Sequence, residues 1–392
     1  MQLAFTPVVV VLFAVVAQAV LAAGLLWWAR CNQLPNRFLA LLMLAIALWL
    51  LDGFFRVSGL YRQEPGLYFS PIYYSLAFGP LLYFYVRGLI EADFRWSWRH
   101  CGWHFAPVLV QAALYWWLRT QSYDFRNWFW QHVHRPYTYR LEFIGTWVSL
   151  TGYLLLSLRR LRQYQRWLAD NFSDILALRL LWLRWLLVLL AVVSAQWLIE
   201  LGLRELFGLY YRYDYSTELL GGVVFIIGLV GLRQADRPAV RAAEADLSSP
   251  ELPAPTPAPA TAPAPAAPAA GRSSPALAAP PVDAAVAERI RRALEDEQLY
   301  LNPVLSLAEV AAHTGLAPKL ISYTINAGLG RSFNDVVNGL RVAEVQRRLA
   351  QPDARRFTLL GIALESGFNS KTTFNRIFKQ LTGTAPRDYD AQ

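Results

Sequence analysis

The chain has 392 residues, of which 55% are hydrophobic and only 17% are charged, and its formal net charge is +9. The apolar excess is concentrated before about residue 235, in blocks of roughly 20 residues, the length that crosses a hydrocarbon core about 30 Å thick. This pattern excludes a wholly soluble protein and predicts a polytopic membrane domain, whereas two cysteines, Cys31 and Cys101, exclude a disulfide framework. The positive charge is compatible with binding to nucleic acid or to anionic lipid and does not distinguish between these partners.

Seven apolar blocks are predicted to be membrane helices. They are Thr6–Trp28, Phe38–Leu60, Pro71–Ile90, His104–Leu118, Phe143–Leu158, Leu181–Leu201 and Thr217–Leu232. The first has no preceding Lys or Arg and is too long for the apolar core of a signal peptide, so we expect a retained span. An odd number of spans places the termini on opposite sides. The arginine bias between loops puts the N-terminus outside and the C-terminus in the cytoplasm.

Three ionisable residues within or beside these blocks are candidates for a signal site: Asp52, Arg56 and Glu200. Because charges in a membrane are costly, they mark either a ligand pocket or a structural ion pair, and the ion pair is favoured. The aromatic cluster between Tyr115 and Tyr139 fits a ligand surface or, more simply, an interfacial belt. His132 and His134 lack a third ligand, so the sequence predicts no metal site and no cofactor.

The composition changes abruptly at residue 235, where a Pro/Ala-rich tract without periodicity begins and runs to residue 282. Such a tract cannot bury enough apolar surface to fold, so we expect a disordered linker between domains at 1–234 and 283–392. A Pro-rich chain reaches on the order of 100 Å and carries no helix rotation. The membrane domain is therefore expected to signal by changing oligomeric state.

The C-terminal domain begins its repeated pattern at residues 304–328. Ser306 and Glu309 fit a capping box, Gly315 ends the first helix, and Pro318 suits the first turn of the second. In the second helix, the predicted apolar face holds Leu320, Ile321, Thr324 and Ile325. Its polar face holds Lys319, Ser322, Tyr323 and Asn326. This is a helix-turn-helix layout.

The same layout recurs at residues 357–382, with Gly367 in the turn and Ser370 as the N-cap. The predicted buried stripe is Phe374, Ile377, Phe378 and Leu381. Opposite it lies a basic face without carboxylates: Lys371, Thr372, Asn375, Arg376 and Lys379. A helix from Phe333 to Ala350, roughly 27 Å long, is expected to join the two units and to hold them in successive major-groove turns.

The stretch GFNSKTTFNRIFKQLTGTAPRDY and the domain around it resemble the DNA-binding domain of the AraC/XylS family of bacterial transcription regulators. The resemblance implies two helix-turn-helix units and assigns base and phosphate contacts to both polar faces named above. The stretches FGPLLYFYVRGL, WHFAPVLV and NFSDILALRLLWLRWLL are similar to the multi-pass sensor region of a membrane-anchored subgroup of that family.

These patterns predict an all-α membrane-anchored regulator that binds promoter DNA in response to a small-molecule or envelope signal. The alternative is a transporter or channel with a C-terminal regulatory module, for which Gly79-Pro80 is the one candidate for a broken helix. Enzyme activity is not expected, since the sequence lacks a nucleophile elbow, a phosphate loop and an HExxH motif. The sequence leaves open whether the chain forms a homodimer.

Overall fold

The computed structural model describes residues 6–91, 94–174, 180–207, 215–235 and 283–389, and all regular elements among them are helices. Contacts divide the chain into two units. The first joins Met1–Tyr164 with Leu180–Glu244, and the second joins Gln165–Arg179 with Ala245–Gln392. From residue 236 to residue 282 the predicted linker lies outside the described residues.

Each of the seven predicted blocks overlaps one helix, and the fifth of these helices ends within the second unit. These helices are α1 (Pro7–Trp27), α2 (Gln33–Val57), α3 (Phe78–Ile90), α4 (Ala106–Thr120), α5 (Tyr139–Asn171), α6 (Leu181–Phe207) and α7 (Tyr215–Ala235). Four described stretches are long and apolar enough to cross a membrane, namely α1, α2, α6 and the helical run Tyr123–Asn171 that contains α5. Helix α5 extends well past its predicted end. The residues that follow its apolar block are rich in Arg, Gln and Leu, which are good helix formers.

Helix α3 is the buried helix of the first unit, since all its residues except Arg87 are buried. A Cβ on Gly79 would lie 2.7 Å from the carbonyl oxygen of Ser149, so only glycine allows α3 to approach α5 this closely. Pro80 lies in the first turn of α3, where its ring and missing N–H are tolerated. Gly79-Pro80 therefore begins a helix and does not break one.

Large apolar side chains face outward on several helices of the first unit. Val11 of α1 is 60% exposed, Leu109 of α4 is 64% exposed, and Ile199 of α6 is 65% exposed. In water each would forfeit much of the roughly 1.5–3 kcal/mol that burying such a side chain provides. Exposed apolar surface on long apolar helices is what a lipid environment favours.

Between residues 283 and 389, which the structure describes, the second unit has six α-helices: α8 (Ala284–Arg291), α9 (Leu307–Thr314), α10 (Pro318–Leu329), α11 (Phe333–Leu349), α12 (Leu359–Glu365) and α13 (Lys371–Thr382). Two apolar clusters form its core. The first is built by α8 to α10 with Phe333 and Val337, and the second by α12 and α13 with Val342 and Val345. Helix α11 contributes to both, so residues 283–389 hold a complete core of their own.

Two predicted core positions are wrong. Leu320 is 39% exposed and Leu381 is 51% exposed. Leu320 sits in the first turn of α10, where Ile321, fully buried, takes the inward position. At the end of α13 the ring of Tyr389, from beyond the helix, packs edge-on against Phe378 at 5.1 Å and closes the second cluster on that side.

Candidate functional site

The first helix pair, α9 and α10, is set by its capping residues. Ser306 Oγ accepts from the Glu309 N–H at 3.3 Å, and Glu309 Oε2 accepts from the Ser306 N–H at 2.7 Å. This is the predicted capping box. Gly315 ends α9 with φ +66°, a conformation that glycine adopts without strain, and Pro318 is the first residue of α10. The prediction for this turn is confirmed.

The second pair, α12 and α13, is positioned by a tight turn at Gly367, whose φ is +90°. Thr358 Oγ1 caps α12 by accepting from the Gly361 N–H at 3.0 Å, and Ser370 Oγ caps α13 by accepting from the Thr373 N–H at 3.2 Å. A Cβ on Gly367 would lie 2.5 Å from the Tyr300 carbonyl oxygen. The second turn thus packs directly on the segment that precedes the first pair.

The sequence-predicted contact residues lie on the solvent side of α10 and α13. In α10, Lys319 and Asn326 are exposed while Ser322 and Tyr323 are half-buried, and Ile321, Thr324 and Ile325 face the core. In α13, Arg376 is half-buried, and the exposed members are Lys371, Thr372, Asn375 and Lys379. Each helix therefore presents one polar face, and the face of α13 carries three cations and no carboxylate.

A charged cluster fixes α12 against α11. Glu344 accepts from Arg347 at 2.7 Å and from Arg348 at 2.6 Å, and Arg348 also donates to Glu365 of α12 at 2.7 Å. Hydrogen bonds from Arg347 and Arg348 hold the pKa of Glu344 at about 2, below its ordinary range. Because Arg348 bridges the two helices, this cluster orients the second pair on the connector.

Sequence reasoning missed three polar residues of α11 that face inward: Asn334, Asn338 and Arg341. Arg341 is 1% exposed, and its guanidinium donates to the carbonyl oxygens of Tyr300 at 2.8 Å and Asn302 at 2.5 Å. Their spacing of four and three residues placed them on one helical face, which was the available signal.

The first unit holds a separate cavity of about 150 Å³ near the predicted outer end of α2. Asp52 and Arg56 form an ion pair at 2.5 Å on its wall, and Asp52 also accepts from the Tyr61 hydroxyl. The other lining residues are aromatic: Tyr68, Phe69, Tyr73, Tyr115, Trp130, His134 and Tyr139. The structure thus brings two of the three predicted signal residues together in an aromatic pocket.

Glu200 does not line this pocket. It is buried in α6 and pairs with Arg204, which also donates to the Tyr139 hydroxyl on the cavity wall. His132 and His134 point to different partners, the Trp128 carbonyl and the Thr138 hydroxyl. Among the described residues no group of three or more His, Cys, Asp and Glu side chains is placed to hold a metal ion.

Comparison with known proteins places the C-terminal part in a recognised class of domain. A sequence profile of the helix-turn-helix domain matches residues 289–392. An uncharacterized HTH-type transcriptional regulator of Staphylococcus aureus strain COL is 28% identical over 102 residues, which are 26% of this chain and 13% of that protein. Regulators with the same description from strains MSSA476 and N315 match with the same identity and coverage. No solved structure matches the chain significantly.

These matches confirm the predicted AraC-type helix-turn-helix domain at the C-terminus. The chain spans only 13% of the length of these relatives, so they bear on residues 289–392 alone. The resemblance of the membrane half to a sensor region stays a prediction.

Proposed function

We propose that the chain is a membrane-anchored transcription regulator that binds promoter DNA through two helix-turn-helix units. The observation that carries the proposal is the placement of the polar faces of α10 and α13 on the solvent side, opposite the two apolar clusters. Lys, Arg, Asn, Ser and Thr side chains on a second helix are the groups that contact base edges and phosphates.

Both helix pairs act as reading units in this proposal, and α11 acts as their spacer. The helix has 17 residues and contributes apolar side chains to both clusters, so the two pairs cannot shift independently without breaking a core. A spacer of roughly 25 Å, at 1.5 Å per residue, suits two reading helices placed about one turn of the double helix apart.

The DNA test uses the fragment 283–392 and duplexes selected from a random pool. We expect Arg376→Ala to weaken binding of the selected duplex by about 1–3 kcal/mol, the worth of a bidentate base contact. Arg291→Ala is the matched control, because Arg291 is engaged by Glu288, Glu295 and Asp296 and is not on either reading face. Equal affinity for selected and random duplexes would contradict sequence-specific binding.

Membrane anchoring is supported by the length of four apolar stretches and by their exposed apolar side chains. The topology is tested by labelling with a membrane-impermeant maleimide. Cys31 is exposed and is assigned to the cytoplasm, so we expect labelling only after permeabilisation, whereas an Arg62→Cys variant should label in intact cells. Cys101 is buried and serves as the internal background. Labelling of Cys31 in intact cells would overturn the assigned orientation.

The aromatic cavity is proposed as the signal site. The Asp52–Arg56 pair leaves its wall without net charge, and the stacked rings of Tyr73 and Tyr115, 4.9 Å apart, provide flat apolar surface. We infer a small, uncharged or zwitterionic ligand with an apolar body. Quenching of tryptophan fluorescence across a panel of such compounds, lost in a Trp130→Leu variant, tests the site. A response that persists in that variant would place the ligand elsewhere.

A further inference from the structure

A short segment between α5 and α6 belongs to the same compact unit as the helix-turn-helix domain. The Ser173 N–H donates to the Leu305 carbonyl oxygen at 3.1 Å, and Phe172 forms an antiparallel bridge with Ser306. The segment therefore pairs its backbone with the residues that lead into α9, as one β-strand pairs with another. In sequence it lies more than 130 residues before its partners.

The three inward polar residues of α11 hold this segment by its backbone. Asn334 Nδ2 donates to the carbonyl oxygens of Phe172 at 3.2 Å and Ser173 at 2.6 Å. Asn338 Nδ2 donates to the Ser173 carbonyl oxygen at 3.0 Å, and Arg341 donates to Ser173 Oγ at 3.1 Å. Hydrogen bonds to main-chain carbonyls are the contacts by which a protein binds an extended peptide irrespective of its side chains.

Burial shows that these contacts are not incidental surface contacts. Ser173 is fully buried, Asn338 is 2% exposed and Arg341 is 1% exposed. Buried amides and guanidinium groups are costly unless they are hydrogen-bonded, and the Asn334 amide donates to two carbonyl oxygens of the segment. Burial lowers the pKa of Arg341 to about 10, and the charge of Asp174 acts in the opposite direction. The segment thus adds acceptors for these buried donors and brings the negative charge of Asp174 to Arg341.

The same segment brings a carboxylate to the polar face of α10. Asp170 Oδ1 lies 3.5 Å from the Asn326 amide nitrogen, and Asn326 is a predicted DNA contact. Phosphates of a bound duplex carry one negative charge per about 1.7 Å of axis. A carboxylate held at this place repels them, and the docked segment occupies space beside the reading helix.

We propose that residues 170–174 form a docking segment, that Asn334, Asn338 and Arg341 form its receptor site, and that docking opposes DNA binding by the first helix pair. The opposition to DNA rests on the proposed function, whereas the docking site stands on its own contacts. The segment is continuous with α5 on one side and precedes α6 on the other. A movement of those helices is therefore transmitted to the reading domain through this segment, without passing through the Pro/Ala tract.

Docking is tested by hydrogen exchange on the full chain in lipid nanodiscs. We expect slow exchange of the Ser173 amide, and much faster exchange in an Asn334→Ala/Asn338→Ala variant that removes the side-chain donors to its carbonyl. Gln346→Ala is the matched control on α11, since Gln346 bonds to Tyr389 and not to the segment. Unchanged protection of α9 and α11 in all variants shows that the domain stays folded. Rapid exchange of Ser173 in the unmodified chain would overturn the docking site.

Opposition to DNA is tested with changes in the segment alone, which leave every residue of the helix-turn-helix domain unchanged. Ser173→Pro removes the N–H that Leu305 accepts and should raise the affinity of the full chain for the selected duplex at least about fivefold, the lower end of typical coupling between sites. Ser173→Ala keeps the backbone contacts and should have a smaller effect. Gln163→Ala, an exposed change in α5, should have none.

The outcomes separate the two proposals. Equal or weaker DNA binding by Ser173→Pro, with the wild-type Ser173 amide protected, would leave a docked segment but overturn its opposition to DNA. Failure of both the full chain and the fragment 283–392 to bind any duplex would overturn the proposed function, while the exchange experiment would still decide whether the segment docks.

Discussion

Among the described glycines of the second unit, Gly367 leaves the least room for an added Cβ atom. Its φ of +90° lies in the left-handed region, which costs an L-residue roughly 1–2 kcal/mol. An added Cβ would also lie 2.5 Å from the Tyr300 carbonyl oxygen, 2.9 Å from Leu301 Cα and 3.0 Å from Arg341 Nε. Two of these atoms belong to backbone that is held in the core, so relief requires a main-chain shift that costs about 1–3 kcal/mol.

We therefore expect Gly367→Ala to lower the free energy of unfolding of the fragment 283–392 by about 2–5 kcal/mol, the sum of the strain and overpacking ranges. Such a loss is a large part of the total stability of an ordinary small domain. Urea unfolding followed by far-UV circular dichroism measures it, provided the slope with denaturant stays constant.

Substitutions at two other glycines separate the cost of backbone strain from the cost of overpacking. Gly383 has φ +79° but no heavy atom within 4 Å of an added Cβ, so Gly383→Ala reports strain alone. Gly339 lies inside α11 with equally open surroundings, and Gly339→Ala should stabilise the fragment by about 1 kcal/mol through helix propensity. If Gly367→Ala costs no more than Gly383→Ala, the second turn does not pack on residues 300 and 301 as described.

Two further predictions concern a titrating group and a helix contact. The folded-state pKa of Glu344, about 2, lies below its unfolded value. The ionised carboxylate therefore stabilises the folded state above a pH of about 4, and this stabilisation is lost as the pH falls toward 2. The urea midpoints of the wild-type fragment and of Glu344→Gln should differ at neutral pH and converge in acid; a constant difference would contradict the pairing with Arg347 and Arg348. Gly79→Ala should destabilise the first unit by about 1–3 kcal/mol through its contact with Ser149. Gly152→Ala in α5, which meets nothing within 4 Å, should not lower the melting temperature in detergent.

Local signals in the sequence predicted local structure well. The capping box at Ser306, the N-cap at Ser370 and the glycine turns at Gly315 and Gly367 each depend on residues within a few positions of one another. The ends of these helices and the orientation of their polar faces follow from these signals, because the chain geometry between neighbouring turns is fixed once their caps are set.

Contacts between distant parts of the chain were not predictable in this way. The inward placement of Arg341 depends on carbonyl oxygens about 40 residues earlier and on Ser173, 168 residues earlier. Spacing places such a residue on one face of α11 but does not show whether that face meets solvent or another segment of the chain. The exposure of Leu381 also depends on a residue outside its own helix, since Tyr389 packs against Phe378 and closes the second cluster. The aromatic pocket, likewise, joins residues from separate segments between Asp52 and Tyr139.

Replacing residues 236–282 with an unrelated flexible tract of equal length tests whether the sequence of the linker is needed for a signal to reach the reading helices. A flexible tract transmits no rotation, so regulation should survive the replacement whether the membrane domain changes oligomeric state or moves the docking segment. Ser173→Pro separates these mechanisms in the tract-replaced chain. Control by oligomeric state leaves a response to signal in that variant, because paired reading domains still gain effective concentration. If docking controls DNA binding, the Ser173→Pro chain should not respond to the signal, since its contact with Leu305 is lost. The reporter of a target promoter should then stay at the level that an undocked segment gives. A signal-dependent reporter in the Ser173→Pro chain would therefore refute transmission through the segment.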